Sequence, residues 1–207
     1  MARQKEYNRE KVLDAAMKVF WTKGFEGTSI QDLVCATGLN RFGMYQAFGS
    51  KQGLFLEALD RYQRQITSGF IAPLERAPER GLRTIRDFFV QGLAMMERGG
   101  DVRGCLITNT AIDLPCRCSA TQKKIEAGMQ RLSGAFRACL AAARNNGEIR
   151  EDADLDALAQ YLLTMLQGLM VLKRAGASRE QAQNSINVAL ESLPLCSGEG
   201  LRLGAEN

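Results

Sequence analysis

The chain has 207 residues, of which 45% are hydrophobic and 24% charged, and its formal net charge is +4. This is ordinary globular composition without histidine, which excludes the commonest general base and the commonest zinc ligand. No apolar run is expected to reach the roughly 18 residues of a membrane span. The charged start MARQKEYNREK lacks the apolar region of a secretory signal. We therefore expect a cytoplasmic protein with no membrane partner.

Four helices are predicted in the N-terminal third of the chain, where apolar residues recur at spacings of three and four. The first follows Asn8, whose side chain can accept a hydrogen bond from otherwise unpaired backbone N–H groups. The second starts at Ser29, which with Asp32 has the spacing of a capping box. The predicted spans are 8–23, 29–37, 40–48 and 50–62.

Helical periodicity continues towards the C-terminus, and no segment has a convincing strand pattern. Further helices are predicted near 80–98, 104–113, 120–145, 154–174 and 178–193, with the four prolines between the periodic stretches. The 154–174 helix is apolar over so wide an arc that it should bury nearly all round, one side against the core and another against a partner subunit. The fold is expected to be all-α, with about nine helices.

Residues 28–51 point to a function. Two short helices joined by a tight turn at Gly38 have the pattern of a helix-turn-helix, whose second helix lies in the major groove of DNA. No acidic residue lies between Asp32 and Glu57, whereas Arg41 and Lys51 lie inside that stretch. This weak basic focus fits a nucleic-acid contact.

Specific contacts are expected from the second helix of this motif. Arg41 can pair with a guanine edge and Gln46 with an adenine edge, whereas Tyr45 and Lys51 are better placed to contact phosphates. Alternatively, Tyr45 only pins its helix to the first helix, and Arg41 is only a solvated charge. The helix N-termini at 28–29 and 50–51 offer backbone N–H groups to phosphates. The expected DNA-contacting residues are Thr28, Ser29, Asn40, Arg41, Phe42, Gly43, Tyr45, Gln46, Ser50 and Lys51.

The first 60 or so residues closely resemble the DNA-binding domain of the TetR/AcrR family of bacterial regulators. A weaker resemblance to one branch of the family extends to about residue 193, carried by 103–107, 147–149, 168–169 and 175–178. The family often has Gly or Pro where Phe42 stands, so Phe42 contacts a thymine methyl group or alters how the helix enters the groove. The residues that carry the closer resemblance are Ala15, Ala16, Phe20, Gly24, Phe25, Thr28, Ser29, Ile30, Leu33, Val34, Thr37, Gly38, Leu39, Tyr45, Phe48, Gly49, Ser50, Lys51 and Leu54.

The resemblance implies a repressor with a three-helix DNA-binding domain over 1–52 and a helical effector-binding and dimerisation domain over 53–195. The glycine-rich residues 196–207 are expected to form a flexible tail. It implies a homodimer through 154–193 on a near-palindromic double-stranded operator. Half-sites are then expected about 34–36 Å apart or slightly more. No cofactor is expected.

The resemblance also implies a pocket for a small-molecule effector among the middle helices. Apolar residues of this region either line such a cavity or simply fill the core, and the sequence does not distinguish the two. The candidate effector-binding residues are Phe88, Phe89, Leu106, Met129, Phe136 and Met165.

The six cysteines are expected to be reduced in the cytoplasm. Cys35 and Cys139 lie on apolar helix faces and are expected to be buried. Cys105 begins a helix, a position that favours the reactive thiolate, and with Cys116 and Cys118 it is a candidate sensor of oxidants or electrophiles. Cys116 and Cys118 alone are too few for a metal site unless Cys105 or a second subunit contributes, so no metal is expected.

Two other functional classes are possible: a thiol-dependent enzyme that uses the Cys105, Cys116 and Cys118 region, and a helical adaptor that never touches DNA. The enzyme interpretation lacks both a glycine-rich phosphate loop and a base near a nucleophile. Salt dependence of duplex binding distinguishes a DNA reader from the other classes. We therefore expect a signal-responsive regulator and not an enzyme.

Overall fold

A computed structural model of the chain describes residues 7–97, 103–113 and 119–196. Within these residues the regular structure is helical, apart from one isolated antiparallel bridge between Ile149 and Leu195. The predicted all-α fold is therefore confirmed. Ten α-helices lie in the described part: α1 (Arg9–Lys23), α2 (Ile30–Thr37), α3 (Arg41–Phe48), α4 (Lys51–Tyr62), α5 (Ser68–Arg76), α6 (Leu82–Glu97), α7 (Leu106–Asp113), α8 (Ser119–Asn145), α9 (Leu155–Arg174) and α10 (Arg179–Glu191).

Each of the first four helices begins after a residue whose side-chain oxygen accepts a hydrogen bond from the backbone N–H three residues later. Such a cap satisfies a donor that has no partner inside the helix and contributes about 1 kcal/mol. At α2 the cap is reciprocal, because the Asp32 carboxylate accepts the backbone N–H of Ser29 at 2.9 Å. The predicted helix starts are confirmed, and the capping residues are Asn8, Ser29, Asn40 and Ser50.

The segment from 63 to 76 differs from the sequence prediction. Gln63–Thr67 forms a π-helical turn, and α5 follows where no helix was predicted. Pro73 lies inside α5, so the expectation that all prolines lie between helices is wrong for this residue. Ile71 and Leu74 of α5 are fully buried. Burial of two such side chains contributes about 3–6 kcal/mol, which offsets the cost of about 3 kcal/mol for an interior proline.

The chain forms two compact units, of which the first combines Met1–Thr67 with Cys105–Glu126. Its core joins α1 to α4 through the rings of Phe20 and Phe55, which meet edge to face at 4.9 Å between centroids. Leu33 of α2 and Met44 of α3 are buried in this unit and hold the two short helices in place. The predicted functional boundary at residue 52 stays a prediction.

A nearly buried ion pair also fastens α4 to α1. The guanidinium of Arg61 donates to both carboxylate oxygens of Asp14, at 2.6 and 2.9 Å, and also pairs with Glu10. Two parallel hydrogen bonds to one carboxylate fix the geometry as well as the charge. Because Arg61 is only 8% exposed, removal of Asp14 would leave a buried charge short of partners.

The second unit combines Ser68–Gly104 with Ala127–Asn207 and contains α5, α6, most of α8, α9 and α10. Its core contains aromatic side chains of α6 and α8, leucines of α9, and apolar side chains of α5 and α10. The bridge between Ile149 and Leu195 ties the segment after α10 to the segment before α9, with Arg150 N donating to Pro194 O at 2.9 Å.

α9 corrects the expectation that no segment has the length and composition of a membrane span, because its 20 residues pass that test. Six of its side chains are nevertheless buried: Leu155, Ala159, Leu162, Leu163, Leu166 and Leu169. A core helix passes the same test, so we assign α9 to the core of the second unit. The helix is not buried all round in the single chain, however. Tyr161, Val171 and Leu172 are 40%, 41% and 43% exposed.

Candidate nucleic-acid interface

The turn between α2 and α3 is built by local hydrogen bonds. Gly38 has the left-handed backbone conformation (φ 71°, ψ 3°), and its N–H donates to Val34 O at 3.0 Å. A side chain at Gly38 would be strained there, which explains the glycine. Leu39 N then donates to Thr37 Oγ1 at 3.3 Å, and Asn40 Oδ1 accepts the Gly43 N–H at 2.7 Å to start α3. The geometry is that of the predicted helix-turn-helix.

α3 has a buried face and an exposed face. Met44 and Phe48, four residues apart, are buried. Arg41, Phe42, Tyr45 and Gln46 are exposed, so the structure brings four predicted DNA-contacting side chains onto one outer surface. This surface can reach base edges, because a helix of this diameter fits the major groove.

The placement of Tyr45 is compatible with both of the roles considered for it. The side chain is 38% exposed, so part of the ring packs against protein while the rest faces solvent. The guanidinium of Arg41 lies 5.8 Å from the centroid of this ring. That separation suits a weak cation–π contact, which orients the arginine without burying its charge.

At the N-terminus of α2, the hydrogen-bond donors of Thr28 and Ser29 are already bound to acceptors within the protein. Thr28 is buried and its hydroxyl donates to Gly24 O at 2.6 Å, while its backbone N–H donates to Phe25 O. The N–H and the hydroxyl of Ser29 both donate to Asp32. A phosphate at this helix end would therefore compete with existing acceptors for the donors of Thr28 and Ser29.

Asp32 is held as a carboxylate by its neighbours. A hydrogen bond from Lys23 Nζ at 2.6 Å is the main cause that lowers the Asp32 pKa from 3.8 to about 2, and the bonds from Ser29 add to it. The lysine also neutralises the negative charge that Asp32 places near α2. The acidic side chain is thereby made compatible with an approaching phosphate.

At the N-terminus of α4, Ser50 is engaged as a helix cap, whereas the Lys51 ammonium lies against an aromatic ring. The Ser50 hydroxyl accepts the Gly53 N–H at 2.9 Å as a cap. Lys51 Nζ lies 4.5 Å from the centroid of the Phe25 ring. The ring leaves the ammonium donors accessible on the side away from its face, which is compatible with the predicted phosphate contact.

Arg9, which the sequence did not indicate, contacts the C-terminal end of α3. Its guanidinium binds both oxygens of Glu57 at 2.6 and 2.7 Å and stacks over the Phe48 ring at 4.5 Å. It also donates to Ala47 O at 3.5 Å. These contacts join α1 and α4 to the end of α3 over separations of 38 to 48 residues, and no local sequence pattern signals them.

The candidate effector-binding residues fall in both units. Phe88, Phe89 and Phe136 are buried and in mutual ring contact at 5.2–6.0 Å between centroids. Met129 and Met165 are partly buried against the same core. Leu106 is buried in the first unit. Phe70, which the sequence did not indicate, joins this cluster, with its ring centroid 4.4 Å from that of Phe88.

The cysteines divide into buried and accessible thiols. Cys139 is buried as predicted, and burial is the main cause that raises its pKa to about 11, so it stays a thiol. The prediction for Cys35 is wrong, because Cys35 is exposed on α2. Cys105 is half-buried, and its carbonyl accepts the Asn109 N–H at 2.9 Å at the predicted start of α7. Cys116 and Cys118 lie outside the described residues.

Comparisons with known proteins agree with this geometry. The family described as "Bacterial regulatory proteins, tetR family" matches residues 12–58, and "Tetracyclin repressor-like, C-terminal domain" matches residues 81–189. The chain is 32% identical to the uncharacterized HTH-type transcriptional regulator YezE of Bacillus subtilis, over 93% of this chain and 100% of that protein. It is 29% identical to the HTH-type transcriptional repressor ComR of Escherichia coli, over 93% and 91% of the two chains.

Among solved structures, the chain resembles a cysteine mutant of the TetR family transcriptional regulator CifR in complex with 26 bp double-strand operator DNA. The two are 30% identical with a TM-score of 0.82, and the match covers 93% of this chain and 100% of the other. A TetR regulator from Chloroflexus aurantiacus is 26% identical with a TM-score of 0.77, over 91% and 96% of the two chains.

Proposed function

Because this chain belongs to the TetR family of DNA-binding transcriptional regulators, we propose that it is a repressor that binds a near-palindromic operator as a homodimer and leaves it on a chemical signal. The observation that carries the proposal is the outer face of α3, where Arg41, Phe42, Tyr45 and Gln46 are exposed on a helix anchored by Met44. Repression is favoured because curated relatives such as ComR are repressors.

The chemistry of each side chain determines whether we expect it to contact a base or a phosphate. Arg41 pairs with a guanine edge and Gln46 with an adenine edge, since these side chains match the donor and acceptor patterns of those bases. Tyr45 and Lys51 contact phosphates and set the position of the protein on the duplex. Asn40 and Gly43 form the cap that starts α3 and bring backbone atoms close to the groove.

The proposed dimer uses α9 and α10. Their side chains outside the core include Tyr161, Val171, Leu172 and Val188, which are 40–65% exposed in the single chain. Exposed apolar side chains on two adjacent helices are typical of an interface with a second copy. Two-fold symmetry then presents two α3 helices to successive major grooves, which favours a near-palindromic operator.

Two kinds of signal are proposed as alternatives. The first is a small apolar molecule that enters among the aromatic side chains around Phe88, Phe89 and Phe136. The second is oxidation or alkylation of Cys105, which a specific contact favours. Cys105 directly precedes α7, and its carbonyl accepts the first hydrogen bond of that helix. α7 contacts α1 and α4 within the first unit. At its end, an Asp113 carboxylate oxygen lies 3.0 Å from a Cβ built on Gly24. A displaced α7 would disturb the helices that hold α3.

The function is tested by duplex binding as a function of salt, with the labelled region upstream of the protein's own gene as probe. A DNA reader of this kind is expected to lose affinity about a thousandfold or more between about 50 and 200 mM salt. Arg41→Ala is expected to cost about 1–3 kcal/mol on the correct site and to relax sequence preference. Arg83→Ala, an exposed arginine on α6 of the second unit, is the matched control. Salt-insensitive binding, or none, contradicts the proposal.

The signal is tested by treating the protein with peroxide or a quinone before the same binding measurement. If Cys105 is the sensor, the oxidant lowers the affinity of the wild type for the operator and leaves Cys105→Ser unchanged. An equal response of both proteins rules out Cys105, and no response of either leaves the apolar effector as the proposed signal.

The other functional classes are less well supported. The relatives that match this chain are transcriptional regulators, so the thiol-enzyme interpretation of Cys105 has no support beyond the cysteines themselves. A helical adaptor without DNA binding leaves the exposed outer face of α3 unexplained. We propose that the protein acts in the cytoplasm, where a bacterial operator is accessible.

A further inference from the structure

We infer that Phe42 recognises the 5-methyl group of a pyrimidine in the major groove, so that the protein distinguishes thymine and 5-methylcytosine from uracil and cytosine at one position of each half-site. The inference rests on the proposed role of α3 as the reading helix. It goes further, because it makes the methylation state of an operator cytosine a determinant of affinity.

The first observation is the exposure of Phe42. Its side chain is 77% exposed, the largest fraction among the large hydrophobic side chains of the described residues. It is the second residue of α3, directly after Arg41. A phenylalanine so exposed contributes nothing to the core, whereas Met44 and Phe48 of the same helix are buried. The helix would fold as well with a polar residue at this position, so the ring is better explained by a partner.

The surroundings of Phe42 identify that partner as DNA. Its neighbours on the outer face of α3 are Arg41, Tyr45 and Gln46, all exposed and all able to form hydrogen bonds. A single apolar ring among such side chains is too small for a protein-docking surface, which presents a contiguous apolar patch. No acidic residue occurs from residue 33 to residue 56 of the sequence, so this face suits a polyanion.

The chemistry of the major groove leaves one suitable target for the ring. Base pairs present hydrogen-bond donors and acceptors there, and the only apolar group is the methyl on C5 of thymine. Cytosine methylated at C5 carries the same group at the same ring carbon. Gly43, which follows Phe42, has no side chain, and its N–H is bound to Asn40 Oδ1. The first turn of α3 can therefore lie close to the bases on that side.

The experiment uses a short duplex that the full-length protein selects from a random-sequence library. Every thymine of the selected half-sites is replaced by deoxyuridine, first together and then one at a time, which removes a methyl group and no hydrogen bond. At one symmetric position the wild type is expected to lose about fourfold in affinity per half-site, the value of one buried methyl group. At that position, 5-methylcytosine is expected to bind about fourfold more tightly than cytosine.

Phe42→Ala is expected to bind the thymine and uracil duplexes equally. Arg41→Ala is the matched control, since it should weaken binding and keep the preference for the methyl group. Equal affinity of the wild type for both duplexes overturns the inference, and so does a methyl preference that survives in Phe42→Ala. In both cases the proposed function stands. A wild type that selects no duplex at all overturns the proposed function, and the inference with it.

Discussion

Replacement of Gly81 by alanine should destabilise the protein more than the same change at another glycine with positive φ. Gly81 has φ +57°, and a Cβ built on it lies 2.6 and 2.8 Å from the two carboxylate oxygens of Glu148. Those oxygens accept hydrogen bonds from Leu82 N at 2.8 Å, at the start of α6, and from Asn146 Nδ2 at 2.9 Å. The new methyl group would displace the carboxylate that caps α6.

The expected loss has two parts. Gly81 has φ +57° with ψ −129°, a conformation that costs a residue with a side chain about 1–3 kcal/mol, and loss of a helix cap costs about 0.5–2 kcal/mol. Gly81→Ala should therefore lower the free energy of unfolding by about 1.5–5 kcal/mol. Gly147 is the matched control, because it has φ +72° with no atom within 4 Å of a built Cβ. Gly147→Ala should show the backbone cost alone.

The assay is urea unfolding followed by far-ultraviolet circular dichroism, at one fixed protein concentration because the proposed dimerisation would make the midpoint concentration-dependent. A double variant with Gly81→Ala and Glu148→Ala should lose less than the sum of its single variants, since each change removes the same cap. Equal losses for Gly81→Ala and Gly147→Ala would refute the reasoning, because they would mean that Glu148 adjusts without cost.

Lys51→Ala should weaken binding to all duplexes about equally and reduce the logarithmic salt slope by about 1; an unchanged slope would argue against a phosphate contact. Asp32 has its pKa lowered from 3.8 to about 2, so the stabilisation from its charged form is complete above about pH 5 and is lost as the pH falls towards 2. In acid unfolding, wild type and Asp32→Asn should converge near pH 2, and a gap that persists there would contradict this. Val188→Asp, at a side chain 65% exposed on α10, should convert dimers to monomers in sedimentation experiments. Ile112→Asp on α7, equally exposed, is the control and should not; if both or neither dissociate, the proposed interface is wrong.

The sequence alone predicted what depends on neighbours along the chain. The starts of α1 to α4 followed from capping residues such as Asn8 and Ser29, whose hydrogen bonds reach only three residues ahead. The tight turn at Gly38 followed in the same way. The motif could be assigned because its pattern is local, and the similarity to TetR regulators over 93% of the chain agrees with it. The DNA-contacting residues within the motif stay a prediction.

Tertiary structure decided what depends on residues distant in sequence. α5 forms across Pro73 because Ile71 and Leu74 reach the core of the second unit, a gain that local propensity does not register. Cys35 was expected to be buried and is exposed, since a helix as short as α2 has too few residues for its apolar face to be located from the sequence.

The outer face of α3 also depends partly on local sequence and partly on tertiary packing. The sequence placed Arg41, Phe42 and Gln46 on a short helix, but only the packing of Met44 and Phe48 determined which side of that helix faces outward. The ion pair between Arg9 and Glu57 joins residues 48 positions apart, so the sequence could not predict it. Local hydrogen bonds depend on residues close together in the sequence, whereas burial depends on the whole folded chain. The packing of Met44 and Phe48 into the core leaves Phe42 exposed on the surface proposed to bind DNA.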